Sequence, residues 1–302
     1  MTTNSLHQAR SVARPSRDAM LQRQPSVSQF WHQDKELFEK AWREWEEAHT
    51  HAAKLDSTLY DPKFYATVTE AWENPEAEDK VRELWTEVLP GVYEAQFFDP
   101  EKLANLRAYL DDVAHADIPL RPPYGIVLNR GGAMLDPRSE GYLAAPTFQT
   151  FYRDLMNRVM RPVSRLLFPE VTGYDTETFG FSIQWQADKD TSLRPHTDAS
   201  SVTLNINLNL PGEDFSGSAV GFFDRTTGQK VDYTFKPGSA VIHRGDVPHV
   251  SQPIIKGERS NFVLWLYGEH GRIPSFGAPS RHSDPHERWT IPQPTGDTFA
   301  PF

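Results

Sequence analysis

No cysteine occurs anywhere in the 302-residue chain. That excludes a disulfide framework and every zinc site built on thiolates, so any metal must be held by histidine and carboxylate. A thiol-free chain is in keeping with a reducing compartment, and a cytoplasmic location is the expectation. Long apolar runs are missing too. None approaches the roughly 18 residues a membrane span requires, so no membrane association is expected. Basic residues are outnumbered, with 31 Lys and Arg against 41 Asp and Glu and a net charge of -10. Nucleic acid or an anionic surface calls for clustered cations, so neither partner is expected. A small-molecule substrate remains open, and no oligomeric state is implied. The first 20 residues hold Arg10, Arg14 and Arg17 and no acid before Asp18, without an apolar segment suited to secretion.

What is present divides unevenly along the chain. Residues 1–29 are polar and unpatterned and read as a flexible N-terminal arm. Residues 30–268 read as one catalytic domain, with a helical part over 30–168 and a core over about 120–268. Residues 269–302 form a proline-rich C-terminal extension, packed on the surface or loose. Between Trp31 and Leu55, Leu37, Trp42, Trp45 and Ala48 stand at helical spacing. A second helical stretch covers roughly 62–89, and Asp99-Pro100 supplies the cap and first turn of another helix. A further helix over about 147–167 should kink at Pro162. Beyond Pro169 the pattern turns to short strands at 177–186, 201–210, 218–224, 230–235, 239–244 and 260–268, with 124–129 as one more. Helices followed by an antiparallel double sheet point to a mainly β fold with α: a double-stranded β-helix, or jelly roll, supported by N-terminal helices.

His-x-Asp occurs four times, at His32, His115, His196 and His282. About one such triplet is expected by accident, so context has to choose among them. His32 and Asp34 begin a helix, where residues two apart point about 200° from each other. His115 ends a helix, where an imidazole suits the dipole. His282 lies in the proline-rich tail. His196 stands between strands, and in extended backbone His196 and Asp198 project to one face and can reach one cation. A third ligand is then needed. His249 in "GDVPHVSQPI" is the favoured one, with His243 in "AVIHRG" as its rival. Two imidazoles and a carboxylate leave three positions open, as in oxygen-activating ferrous sites. Arg259 follows ten residues after His249, and its fork matches a carboxylate. Alone it would read as a turn residue of "KGER". Beside the triad it suggests a dicarboxylic co-substrate, chelated at one end and paired with Arg259 at the other.

His196-x-Asp198, His249 and Arg259, followed by "SNFVLWLYG", resemble the 2-oxoglutarate-dependent Fe(II) dioxygenases, in particular the prolyl 4-hydroxylase and procollagen-lysine hydroxylase branch. The resemblance spans about residues 120–268. It implies that His196, Asp198 and His249 bind iron and that Arg259 holds the distal carboxylate of 2-oxoglutarate. Asn207, with Thr203 and Asn205 on the same strand face, falls where the family places a further polar contact to the co-substrate. Trp185 stands where relatives commonly have a tyrosine in that role, and an indole can only donate. Ser218 replaces the second glycine of a common "SGG" turn. Asp198 disfavours halogenation, because halogenating relatives lack that carboxylate. The implied cofactors are Fe(2+), 2-oxoglutarate and O2, with ascorbate as reductant in vitro. The implied reaction is oxidation of an unactivated C–H bond, by default hydroxylation, with desaturation or cyclisation as variants. A small polar molecule such as an amino acid or a secondary-metabolite intermediate is the expected substrate, with a protein Pro or Lys side chain as the alternative. Tyr124, Asn129, Arg130 and Phe222 are the candidate substrate contacts. Rivals from other classes are a metal-dependent cupin-type isomerase and a non-catalytic ligand-binding jelly roll, neither of which needs Arg259.

Overall fold

The computed structural model describes residues 4–49, 55–123, 132–187, 193–280 and 283–301. Its N-terminal part is a layer of helices. The arm expected to be flexible instead folds from residue 4 onward. Asn4 caps α1 (Ser5–Ser11) by accepting from the His7 N–H, and the Glu44 carboxylate accepts from the N–H groups of Ser5 and Leu6. A carboxylate at a helix N-terminus complements its dipole and its unpaired donors. Leu6 and Ala9 are buried, so the missing signal was an apolar face of only two residues. α2 (Arg17–Leu21) and α3 (Pro25–Gln33) follow, and α4 (Lys35–Ala48) buries Phe38, Ala41, Trp42 and Trp45, one stripe at i, i+3, i+4 and i+7. Ala48, expected on that face, is exposed.

The stretch read as helix over 62–89 breaks into α5 (Pro62–Glu73), a short α6 (Asp79–Arg82) and a hairpin of β1 (Thr86–Leu89) and β2 (Val92–Gln96). Pro90 and Gly91, the latter at φ +79°, make its turn. α7 (Leu103–His115) starts a turn later than Asp99-Pro100, although Asp99 still accepts the N–H groups of Glu101 and Leu103. α8 (Pro146–Asp154) runs through a π-helical stretch at Leu155–Met160 into α9 (Arg161–Leu167). The π stretch takes up the distortion expected at Pro162. Pro162 has no N–H for the Arg158 carbonyl, and the Trp72 indole N–H donates to it at 2.7 Å.

The remaining strands are β3 (Glu177–Gln186), β4 (Leu193–His196), β5 (Val202–Asn207), β6 (Ser216–Gly217), β7 (Val220–Phe223), β8 (Lys230–Tyr233), β9 (Ser239–Arg244), β10 (His249–Ser251), β11 (Ile254–Lys256) and β12 (Glu258–Tyr267). The larger sheet has the order β1-β2-β9-β5-β12-β3 and the smaller β4-β10-β7-β8, while β6 and β11 pair separately. All the pairings are antiparallel. In chain order β3, β4, β5, β7, β8, β9, β10 and β12 fall large, small, large, small, small, large, small, large. That is the winding of a jelly roll, the expected fold. β4 and β10 went unread in the sequence. Pro195 counts against a strand except at an edge, and β4 is the edge of its sheet.

The larger sheet packs its two faces differently. Val202, Leu204 and Ile206 of β5 and Phe262, Leu264 and Leu266 of β12 face away from the smaller sheet, in one core with the helices. Each such side chain contributes roughly 1.5–3 kcal/mol by leaving water. The alternate residues, Thr203, Asn205, Asn207, Arg259, Asn261, Val263 and Trp265, point between the sheets. The C-terminal extension is packed onto the helical layer. Arg165 binds Asp175 at 2.6 Å and donates to the carbonyls of Glu287, Arg288 and Thr290, while Trp289 is buried and donates to Glu78 at 3.0 Å.

Candidate functional site

The last residue of β4, His196, and the first of β10, His249, are register partners on adjacent antiparallel strands. Their ring centroids lie 4.3 Å apart. Two residues past β4 the chain turns in, and the Asp198 N–H donates to the Gly245 carbonyl at 2.9 Å. That approach requires glycine: a Cβ at Gly245 would lie 1.9 Å from the Ser200 carbonyl oxygen. Asp198 Oδ1 then stands 3.6 Å from His196 Nε2 and 3.8 Å from His249 Nε2. The three donor atoms all fall within 4.8 Å of one another.

Each imidazole is oriented through its other nitrogen. His196 Nδ1 is 2.7 Å from the Arg194 carbonyl and His249 Nδ1 is 3.1 Å from the Val247 carbonyl. A carbonyl can only accept, so Nδ1 carries the proton and Nε2 presents its lone pair to the centre. Burial, then the neighbouring His249, hold the His196 imidazole below its ordinary pKa, against the opposing pull of Asp198. A neutral imidazole is the ligating form. Two imidazole nitrogens and one carboxylate oxygen, with no fourth His, Asp or Glu in the group among the described residues, suit a ferrous ion better than an all-oxygen cation or a thiolate-seeking one.

His243 on β9, the rival ligand, is buried with Nε2 3.9 Å from Asp198 Oδ2, on the far side of the carboxylate from the two other imidazoles' shared oxygen. Burial, followed by the neighbouring His249, depresses its pKa to about 4, so it is neutral. It does not join the group formed by His196, Asp198 and His249.

The three residues open into a cavity of about 350 Å³ between the sheets. Arg259 lies at its inner wall, 2% exposed. One guanidinium nitrogen donates to the Ser218 carbonyl at 2.9 Å and another reaches Ser251 Oγ at 3.5 Å. Nε is buried with no hydrogen-bond partner, and no carboxylate pairs with the group among the described residues. Desolvation alone brings its pKa down to about 9, so it stays cationic at neutral pH. A buried cation without an anion costs several kcal/mol, which a carboxylate entering the cavity would offset.

Other sequence expectations fare variously. Trp185 and Asn205 line the cavity, and the Trp185 ring lies beneath the Arg259 guanidinium. Thr203 also lines it, but its hydroxyl is committed to Asp198 at 2.6 Å. Asn207 points between the sheets as expected yet misses the cavity: its amide is used by Asn209, Asn261 and the Ser260 carbonyl. Strand parity gives a residue's face but not its depth along the strand. Phe222, expected to touch substrate, lies instead behind the imidazoles, 5.2 Å from His243 and 5.7 Å from His249 between ring centroids, in an apolar cluster with Val220 and Tyr233. Tyr124, Asn129, Arg130 and the 124–129 strand lie outside the described residues. Sequence reasoning missed Arg194, Ser251 and Val263 on the cavity wall. Arg194 two residues before a ligand candidate was the available signal.

No family model matches the chain. It is 26% identical over 249 residues to an Arabidopsis thaliana 2-oxoglutarate and iron-dependent oxygenase domain-containing protein, covering 76% of this chain and 58% of the relative. A second Arabidopsis thaliana protein of that description is 29% identical over 206 residues, covering 64% and 49%. The rat procollagen-lysine,2-oxoglutarate 5-dioxygenase 1 is 29% identical over 135 residues, covering 43% and 18%. The chain spans about half the length of the first of the curated relatives it matches. A Pseudomonas putida prolyl-4-hydroxylase is a loose structural neighbour at 17% identity and TM-score 0.43, over 59% of this chain and 93% of that one.

Proposed function

We propose that this chain, which its sequence likeness groups with the 2-oxoglutarate and iron-dependent oxygenases, oxidises an unactivated C–H bond of a small polar molecule, with hydroxylation as the default outcome. One observation carries the reading: two imidazoles and a carboxylate converge at one side of a cavity whose other wall is a buried, unpaired guanidinium. A cupin-type isomerase or a passive binding module has no use for Arg259 in that state.

His196, Asp198 and His249 would hold the iron, and Arg259 the far carboxylate of 2-oxoglutarate. When bound, ferrous iron with 2-oxoglutarate and O2 supplies the oxidising chemistry, with succinate and carbon dioxide as co-products. The chain's own work is positioning. Two backbone carbonyls fix the imidazole tautomers, and Arg259 fixes one end of the co-substrate, which sets the place of the other. Phe181, Ile183, Trp185, Val263 and Trp265 keep water from the region where the target bond must lie. A cavity of about 350 Å³ is at the small end of ligand pockets. Beyond the co-substrate it leaves space for a small molecule or for one side chain.

That size also suits a second reading, a protein Pro or Lys side chain, supported by the procollagen-lysine 5-dioxygenase among the sequence relatives. Succinate release and O2 consumption with Fe(II), 2-oxoglutarate and ascorbate test both readings, with amino acids in one arm and Pro- or Lys-containing peptides in the other. Stimulation by one arm selects the substrate class. No turnover and no 2-oxoglutarate binding by the iron-loaded protein would overturn the oxygenase reading.

A further inference from the structure

A carboxylate such as Asp198 ligates through one oxygen more readily when a donor holds the other. Thr203 Oγ1 donates to Oδ2 at 2.6 Å, and among the described residues this is the one hydrogen bond to the carboxylate. Ser200 Oγ lies 2.9 Å from Thr203 Oγ1. A hydroxyl has a single proton, and that of Thr203 is given to Asp198, so Ser200 must donate to Thr203. Ser200 and Thr203 are each 1% exposed. His243, on the other side of Oδ2, offers no substitute, because its Nδ1 proton goes to the Arg244 carbonyl and its Nε2 is 3.9 Å away. The carboxylate therefore turns Oδ1 toward His196 and His249 and Oδ2 toward Thr203.

We infer that Thr203 is a positioning residue which, through the chain Ser200 to Thr203 to Asp198, fixes the Asp198 carboxylate for single-oxygen ligation and so sets metal affinity. The inference rests on the metal reading above and moves Thr203 from the co-substrate to the metal. Outer partners of ligating carboxylates are commonly worth about 10- to 100-fold in metal affinity. Thr203→Val keeps the shape and removes the donor, whereas Thr203→Ser restores it.

The test is a Co(II) titration of the full chain, followed by visible absorption, with metal-free melting as the control for folding. Thr203→Val should weaken Co(II) binding by about 10- to 100-fold and change the band pattern as Oδ2 is released. Thr203→Ser should recover both, and 2-oxoglutarate affinity at saturating metal should stay within about threefold of the unaltered protein. Should Thr203→Val not fold, Ser200→Ala breaks only the outer link and should weaken binding a few-fold. Unchanged affinity and spectrum in the folded variants would overturn the inference while leaving the metal site standing. Failure of the unaltered chain to bind Co(II) would overturn the metal reading and this inference with it.

Discussion

Arg259 and Trp185 are register partners on neighbouring strands, and the guanidinium carbon sits 5.6 Å from the centroid of the indole ring. Phe235 flanks the same group at 5.3 Å. Two aromatic faces thus hold a cation that no acid neutralises among the described residues, with Nε left over. A charged hydrogen bond is worth about 1.5–3 kcal/mol, so Arg259→Ala should weaken 2-oxoglutarate binding by about 10- to 100-fold. Arg259→Lys keeps the charge without the fork and should recover part of that loss. Calorimetry on the Mn(II)-loaded protein measures both. An unaltered dissociation constant would remove Arg259 from the co-substrate site.

The three imidazoles near Asp198 should separate cleanly. His196→Ala, Asp198→Ala and His249→Ala each remove a donor and should lower divalent-metal affinity by about 100-fold or more. His243→Asn should keep metal affinity within about fivefold, since Nε2 faces the wrong oxygen of the carboxylate. A loss for His243→Asn as large as that for His249→Ala would make His243 a ligand.

Stability of the metal-free protein should depend on pH through the same buried imidazoles. The pKa of His243 in the folded chain is about 4 against an ordinary 6.5. As pH falls below about 6.5 the unfolded chain takes up the proton first, so stability is full above that point and is lost progressively toward pH 4. His196 is shifted in the same direction. Melting temperatures between about pH 7.5 and 4.5 should decline, and His243→Asn should flatten the slope. A parallel decline in the variant would assign the effect to other groups.

Gly245→Ala should damage the metal centre without touching a ligand. The added methyl would meet the Ser200 carbonyl and hydroxyl, and Gly245 is the residue whose carbonyl accepts the Asp198 N–H. Overpacking at such a point costs about 1–3 kcal/mol and displaces the loop that carries Asp198. Metal-free melting and Co(II) affinity should both fall. Loss of stability alone would show that the loop tolerates displacement.

How much of this was legible in the sequence follows from the range of the forces involved. His196 and Asp198 were paired in the sequence on the ground that extended backbone puts i and i+2 on one face. β4, however, ends at His196, and the turn pinned by the Asp198 N–H to the Gly245 carbonyl places Asp198. Arg259 was readable only in combination with the triad, whose His249 lies ten residues before it, since alone it reads as a turn residue of "KGER". Thr203 was placed on the right face, but its partner depends on where Asp198 folds back, which spacing does not encode. Asn207 failed for a related reason: it shares the face of Thr203 but lies beyond the cavity, in a chain of four amides with Asn209, Asn261 and Asn205. β1 was taken for the end of a helix because it is short and is held by β2, which pairs with β9, far away in sequence. α1 was taken for a loose arm because what orders it is the Glu44 carboxylate of another helix.

One feature of the larger sheet bears on how small this protein can be made. Its outward side is apolar and lies against the helices, while the side facing its partner sheet mixes amides, hydroxyls and a cation with Phe181, Ile183, Trp185, Val263 and Trp265. Cut free of the helical layer, residues 177–267 would expose Leu204, Ile206, Phe262 and Leu264 as a continuous sticky plane. A chain trimmed to its barrel would therefore self-associate, because the cover for the outer face of the larger sheet is the helical layer and not the barrel itself.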